Sequence, residues 1–194
     1  MNKLILAAAC LASTLAGPGV ALAQLAPYAI DPTHTFVTFE ASHFGTSTVR
    51  GRFDKKDGTV LFDRAGKAGK IDISIDMASI STGVLALDKH LQSKDFFNAT
   101  QHPRTRFVSK RFSFDGDKVT VIAGTLNLLG KTGPVTLASS RFNWYTHPIF
   151  KREVCGGDFL ATLKRSQWGM GYGLDFGIPD EVKLVIQVEA IKQE

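Results

Sequence analysis

The sequence predicts a mainly β protein whose consecutive strands are antiparallel neighbours. Three observations carry this: a two-residue period of apolar side chains after residue 26, tight-turn dipeptides between the periodic runs, and one helical interruption. The 194 residues, 44% hydrophobic and 21% charged, are enough for one domain with its own core. That balance excludes a disordered chain. The 18 glycines without a triplet period and the two cysteines exclude collagen-like and disulfide-scaffold folds.

The chain opens with Met1-Asn2-Lys3, an apolar run from Leu4 to Leu15, a Gly17-Pro18-Gly19 break and Ala21-Leu22-Ala23. A positive start, an apolar stretch and a small-x-small site are the parts of a cleavable export signal, predicted to span residues 1–23 with the cut after Ala23. The stretch falls short of the roughly 20 apolar residues of a membrane helix. A lipoprotein cut before Cys10 would leave about six apolar residues ahead of it, too few for the usual apolar region. The remaining residues, 24–194, read as a single domain and keep one cysteine, Cys155. A lone thiol in an oxidising compartment is either buried and inert or reactive, and the buried reading is preferred here. Cys155-Gly156-Gly157-Asp158 also lacks the second Cys and the His of a haem attachment site.

In the first strand Val37, Phe39 and Ala41 share parity, and in the next Val49, Gly51 and Phe53 do. Residues 59–63 follow, then Ile71-Asp72-Ile73-Ser74-Ile75-Asp76-Met77, which alternates without a fault. Further strands are expected at 104–114, 118–128, 135–145 and 158–165. The last alternates from Val182 to Ala190 with a break at Val185. Asp57-Gly58 and Asp115-Gly116 are hairpin dipeptides, and Gly130-Lys131-Thr132-Gly133-Pro134 is another connection. From Ser81 to His102 the alternation stops. Val84 to Leu91 reads as a short helix, and Ser93 to Phe97 as a turn that Ser93 caps.

Eight or nine such strands must hide two sheet edges, by closing into a barrel or by packing as a sandwich. A barrel of about eight strands is either packed solid or holds one small ligand. Gly51 and Ala41 beside Phe39 and Phe53 leave room, which favours a cavity. Strand parity assigns Phe39, Phe53, Ile73, Ile75, Phe107 and Leu126 to the interior.

The chemistry-bearing residues are sparse. His34, His43, His90, His102 and His147 show no diagnostic metal spacing, so no metal is implied, although His34, His90 and His102 could form an acid–base or metal cluster. There is no nucleophile elbow and no phosphate-cradling glycine loop. Gly169-Met170-Gly171-Tyr172-Gly173 reads as a flexible crossing between the last two strands. The excess of 23 Lys+Arg over 18 Asp+Glu is spread along the chain and gives no nucleic-acid signature. Lys151-Arg152 and Lys164-Arg165 read as solvated pairs able to meet an anionic lipid surface weakly.

One set of residues resembles the opening of the YceI-like polyisoprenoid-binding family: Asp31-x-x-His34, Phe39, His43, Gly45, Ser47, Gly51 and Phe53. Ile80-Ser81-Thr82-Gly83, the run from Asp88 to Pro103, Phe107-x-Ser109, Gly124-Thr125-Leu126, Gly130 to Val135 and Arg165-Ser166-x-x-Gly169-Met170 extend the likeness from about Tyr28 to Ala190. Gln167, Trp168 and Asn98 depart from the usual pattern. The resemblance implies an extended eight-stranded antiparallel up-and-down barrel, lipocalin-like, with a short helical insertion around 81–100. It implies a periplasmic binding protein with a polyisoprenoid or isoprenoid quinone in its lumen. It supplies no catalytic residue, and the lipid is a ligand, not a redox cofactor. The six parity-selected residues would then line the tunnel, with His34, His90 and His102 gathered at its mouth under the helix. An enzyme acting on a lipid-like substrate, or an interaction module with a solid core, are the alternatives.

Overall fold

A computed structural model describes residues 24–194, so the expected export signal lies outside the described residues. The strands are β1 (Ala26–Ile30), β2 (Phe36–His43), β3 (Ser47–Phe53), β4 (Lys56–Asp63), β5 (Ala68–Asp76), β6 (Ile80–Ser81), β7 (Arg104–Asp115), β8 (Lys118–Leu128), β9 (Lys131–Thr146), β10 (Glu153–Lys164) and β11 (Glu181–Lys192), with helix α1 at Leu85–Gln92. Three long strands are each broken once, so β1/β2, β3/β4 and β5/β6 trace single paths interrupted at 31–35, at Asp54-Lys55 and at a 3-10 turn, Met77–Ser79. Counted as paths there are eight. The ring runs β1-β4-β5-β7-β8-β9-β10-β11 and returns to β1, where Tyr28 lies opposite Lys192. Every neighbouring pair is antiparallel. The barrel, not the sandwich, is the solution this chain adopts, because closure leaves fewer backbone edges unpaired.

The alternating run behaves as a half-buried strand should. Ile71, Ile73 and Ile75 face inward, while Asp72 faces out and pairs with Arg106 on β7. On β11 the inward set is Val182, Leu184, Ile186, Val188 and Ala190, so Val185 is no break but an apolar residue of the outer face. Asp57-Gly58 does not form a hairpin. It lies inside β4 opposite Ser74 and Ile73, and a β-carbon on Gly58 would sit 2.1 Å from the Asp72 carbonyl oxygen. Close backbone approach, not a turn, requires glycine there. The turn into β5 is at residues 64–67. Asp115-Gly116 does mark the turn into β8, and β9 begins at Lys131, so only Leu129-Gly130 remains as the next turn.

Register shifts occur in the β7–β8 ladder beside Ser109 and Ser113, and in the β9–β10 ladder beside Asp158. Each adds a residue to one strand and exchanges its two faces. Past them, Phe112, Phe114, Val119, Phe142 and Trp144 turn inward at one end of the barrel. Phe62 sits among them, its ring 5.2–6.4 Å from those of Tyr28, Phe112, Phe114, Phe142 and Trp144. This aromatic cluster plugs that end.

The opposite end carries α1 and the 16-residue β10–β11 connection, residues 165–180. Arg165, expected on a solvated face, is instead buried at 4% exposure. Its guanidinium donates to the backbone carbonyls of Pro179, Met170, Tyr172 and Ile178 at 2.7–3.2 Å. The glycine-rich segment is therefore tied down from inside. Five donors in a planar fork can satisfy four carbonyls of the connection that converge on this buried side chain. Asp180 completes the clamp by accepting from the Ser166 amide and hydroxyl, at 2.8 and 2.7 Å.

Candidate functional site

Between plug and lid the barrel is hollow. Two adjoining chambers share Val37, Ile75, Leu126 and Leu184 as walls, with cavity volumes of about 160 Å³ near the lid and 130 Å³ deeper in. Phe39, Phe53, Ile75 and Leu126 line the upper chamber, and Ile73, Ile75, Phe107 and Leu126 line the deeper one. The structure thus places all six parity-selected residues on the lumen wall. Phe39 and Phe53 are buried, but Ile73, Ile75, Phe107 and Leu126 are only half-buried, because they face free volume where a solid core would present packing atoms.

The glycines act differently from the sequence expectation. The space beside Gly51 is taken by the Phe39 ring, and that beside Gly124 by the Phe107 ring; a β-carbon would meet these rings at 2.5 and 2.4 Å. The rings fold down onto the wall, and the lumen stays open at its centre. Leu91, Phe96 and Phe97 from the helical insertion, with Trp168, Met170 and Ile178 from the β10–β11 connection, roof the upper chamber.

Three of the polar side chains in the lining are engaged, while among the described residues the buried Trp168 Nε1 has no hydrogen-bond partner and Lys56 has no carboxylate partner. Thr105 donates to the Asn127 carbonyl at 2.5 Å and Thr35 to that of Glu189 at 3.2 Å, while Arg165 is consumed by its four carbonyls. Among the described residues no His, Cys, Asp or Glu lines either chamber. Cys155 is buried as expected, and burial, reinforced by Glu153, pushes its thiol up to about 12.

The three histidines are not gathered at a mouth. His34 stands on the outer wall, 61% exposed in its side chain, with Nδ1 2.7 Å from Asp31 Oδ2. His90 lies in the lid, its ring 5.1 Å from Phe96 and 5.0 Å from Tyr172, so it joins the insertion to the β10–β11 connection. His102 lies beside the Leu129-Gly130 turn. Sequence distance gave no measure of their separation, since His34 sits on a strand break fixed by β11 and the other two ride on the insertion.

His34 does belong to one cluster of metal-ligand types, with Asp31 and Glu189, whose ligand atoms lie within 4.8 Å. All three already have protein partners: His34 bonds Asp31, and Tyr145 donates to Glu189 at 2.7 Å. Burial opposes ionisation of Asp31, yet hydrogen bonds from His34 and Thr33 lower its carboxyl to about 2; the same bond raises His34 above its ordinary value. His34, Tyr145 and Glu189 border a groove of about 230 Å³ on the outer face of β9, β10 and β11, outside the lumen.

A closed antiparallel barrel, plugged at one end, roofed at the other and hollow with an apolar wall, defines a class of protein built to enclose a small apolar molecule. Within that class the chain belongs to the YceI-like family, since the family model for the YceI-like domain matches residues 28–190. It is 36% identical to a UPF0312 protein of Pseudomonas aeruginosa, over all of both chains. Among solved structures it is similar to BcnA of Burkholderia cenocepacia, with a TM-score of 0.68 and 26% identity over 82% of this chain and 98% of that one. A polyisoprenoid binding domain from Saccharophagus degradans shares the fold, with a TM-score of 0.61 at 16% identity over 88% of this chain and 100% of that one.

Proposed function

We propose that this chain is an exported binding protein that holds an isoprenoid or similar long apolar lipid, such as a polyprenyl chain or an isoprenoid quinone, in the barrel lumen. The observation that carries this is the two-chambered cavity with its apolar, half-buried lining. Kinship to the YceI-like family supports it, as does the description of a neighbour with this fold as polyisoprenoid-binding.

Burial of such a chain from water is worth about 0.8 kcal/mol per CH₂. The relevant reference is a bilayer, where the chain is already out of water, so transfer to an apolar lumen changes little hydrophobic free energy. Affinity then rests on packing against the wall and on whatever holds the head group. A carrier benefits from that balance, because a lipid bound against a bilayer reference can be released again. An enzymatic reading would need paired acid–base groups at the substrate, and among the described residues the chamber linings hold no His, Cys, Asp or Glu beside the single amine of Lys56. An interaction module with a solid core would lack the free volume.

Storage or transfer across the periplasm follows from the export signal read at residues 1–23. Weak contact with an anionic membrane would use the β9–β10 turn, where Ile149 and Phe150 stand exposed beside Lys151 and Arg152. The other basic pair contributes little, since Arg165 is buried.

Native mass spectrometry with lipid extraction of the protein recovered from the periplasm tests the reading. A co-purified prenyl lipid is the expected result. Its absence, together with no uptake of supplied prenyl lipid, would count decisively against the carrier.

A further inference from the structure

One end of the barrel is plugged and the other roofed, and strand pairing in the wall fails at the strand breaks. Between the paths β1/β2 and β3/β4 the ladder is interrupted: Tyr28 opposite Val60 is the last pair on one side, and Val37 opposite Phe53 the first on the other. Residues 31–35 and Asp54-Lys55, the two strand breaks, flank this slit. Lys56 lies in it. Its side chain contributes to the wall of the deeper chamber, while its Nζ stands 5.1 Å from the centre of the Phe36 ring. Phe36 is next to the inward Val37 and so belongs to the outer face. The Lys56 stem thus crosses from lumen to surface in the way long amphipathic side chains do.

Two cations meet at that ring, since the Arg52 guanidinium also lies 5.2 Å from its centre. Arg52 has a partner in Asp54, 2.8 Å away, whereas among the described residues no carboxylate lies within 4.0 Å of the Lys56 ammonium. Burial lowers the Lys56 ammonium below the ordinary lysine value; Asp54 opposes this and Arg52 adds to it. The other two breaks are bridged, by the Asp31 amide to the Glu189 carbonyl and by the Asp54 amide to the Ser79 carbonyl. A cation without a carboxylate partner, at the break in the ladder that no backbone hydrogen bond bridges among the described residues, is a site for an anion.

Resting on the lipid-binding reading, we infer that the slit is a side opening of the lumen, where Lys56, assisted by Arg52, holds an anionic head group, phosphate or carboxylate, of a lipid whose tail fills the chambers. The tail would then run from the deeper chamber toward the lid, with the charged head left in water beside Phe36.

Farnesyl phosphate and farnesol share a tail and differ in head charge, so their binding, followed by tryptophan emission because Trp168 lines the upper chamber, separates the two ideas. Expected is roughly tenfold tighter binding of farnesyl phosphate than of farnesol at low salt, as one charge-assisted contact supplies. Lys56→Gln should remove most of that preference by weakening farnesyl phosphate far more than farnesol, and Lys56→Arg should keep it. Oleate against oleyl alcohol extends the comparison to a carboxylate. Equal binding of phosphate and alcohol by the unaltered protein, or an equal loss of both in Lys56→Gln, would overturn the site while leaving the lipid lumen intact. Failure of all four probes to bind would overturn the lumen reading and the site together.

Discussion

The Phe39 ring lies against Gly51 on the neighbouring strand, its Cζ 2.5 Å from where a β-carbon on that glycine would be. The contact joins packing to function, because a ring laid on the wall leaves the centre of the barrel free. Gly51→Ala should push the ring off the wall and into the upper chamber. A stability loss of about 1–3 kcal/mol is expected for overpacking of this kind. Prenyl-alcohol binding should fall more than urea unfolding alone would account for. A variant with unaltered binding would show that the ring finds another place.

Phe62 touches five aromatic rings at the plugged end. Phe62→Ala should cost about 3–5 kcal/mol by denaturant unfolding, the range for a large buried ring replaced by a cavity. It should also extend the lumen downward, so that longer-chain probes gain affinity relative to shorter ones.

Arg165 is held by geometry more than by charge. An ammonium cannot reproduce four divergent bonds to the carbonyls of Met170, Tyr172, Ile178 and Pro179. Arg165→Lys is therefore expected to destabilise the protein by about 2–3 kcal/mol, the scale of buried groups left without partners. Amide exchange should quicken most within residues 165–180. Uniform quickening throughout the barrel would argue that the clamp is not local.

The His34–Asp31 pair predicts a pH window. His34 is raised from 6.5 by its bond to Asp31, so its contribution is complete below that value and fades as pH rises through the raised one. Asp31 is lowered from 3.8 to about 2, so its contribution is complete above the former and fades as pH falls through the latter. The pair therefore stabilises most between these limits. The difference in melting temperature between the protein and His34→Ala should be largest near pH 5 and should shrink above neutrality. A difference independent of pH would show that the ring matters only for packing.

Much of the barrel was legible in the chain. Alternation is a local property of extended backbone, and it placed Ile73, Ile75, Phe107 and Leu126 on the lumen side and Asp72 outside without any knowledge of the partner strands. The helical insertion was legible for the converse reason, since the two-residue period fails where strand pairing does.

What the sequence could not show depends on partners distant along the chain. The register shifts that turn Phe142 and Trp144 into the plug leave no mark in composition, because a bulge is a relation between two strands. Arg165 looked like surface charge because its four carbonyl partners become neighbours only when the connection folds over the barrel end. His34, His90 and His102 share a residue type but not a place. Lys56 stands at its place between the lumen and the surface only because two strand breaks, distant in the chain, come side by side in the wall. The chain by itself determined which faces are apolar and that the strands alternate in direction. Closure of the ring, the hollow at its centre and the slit in its wall were decided by long-range pairing.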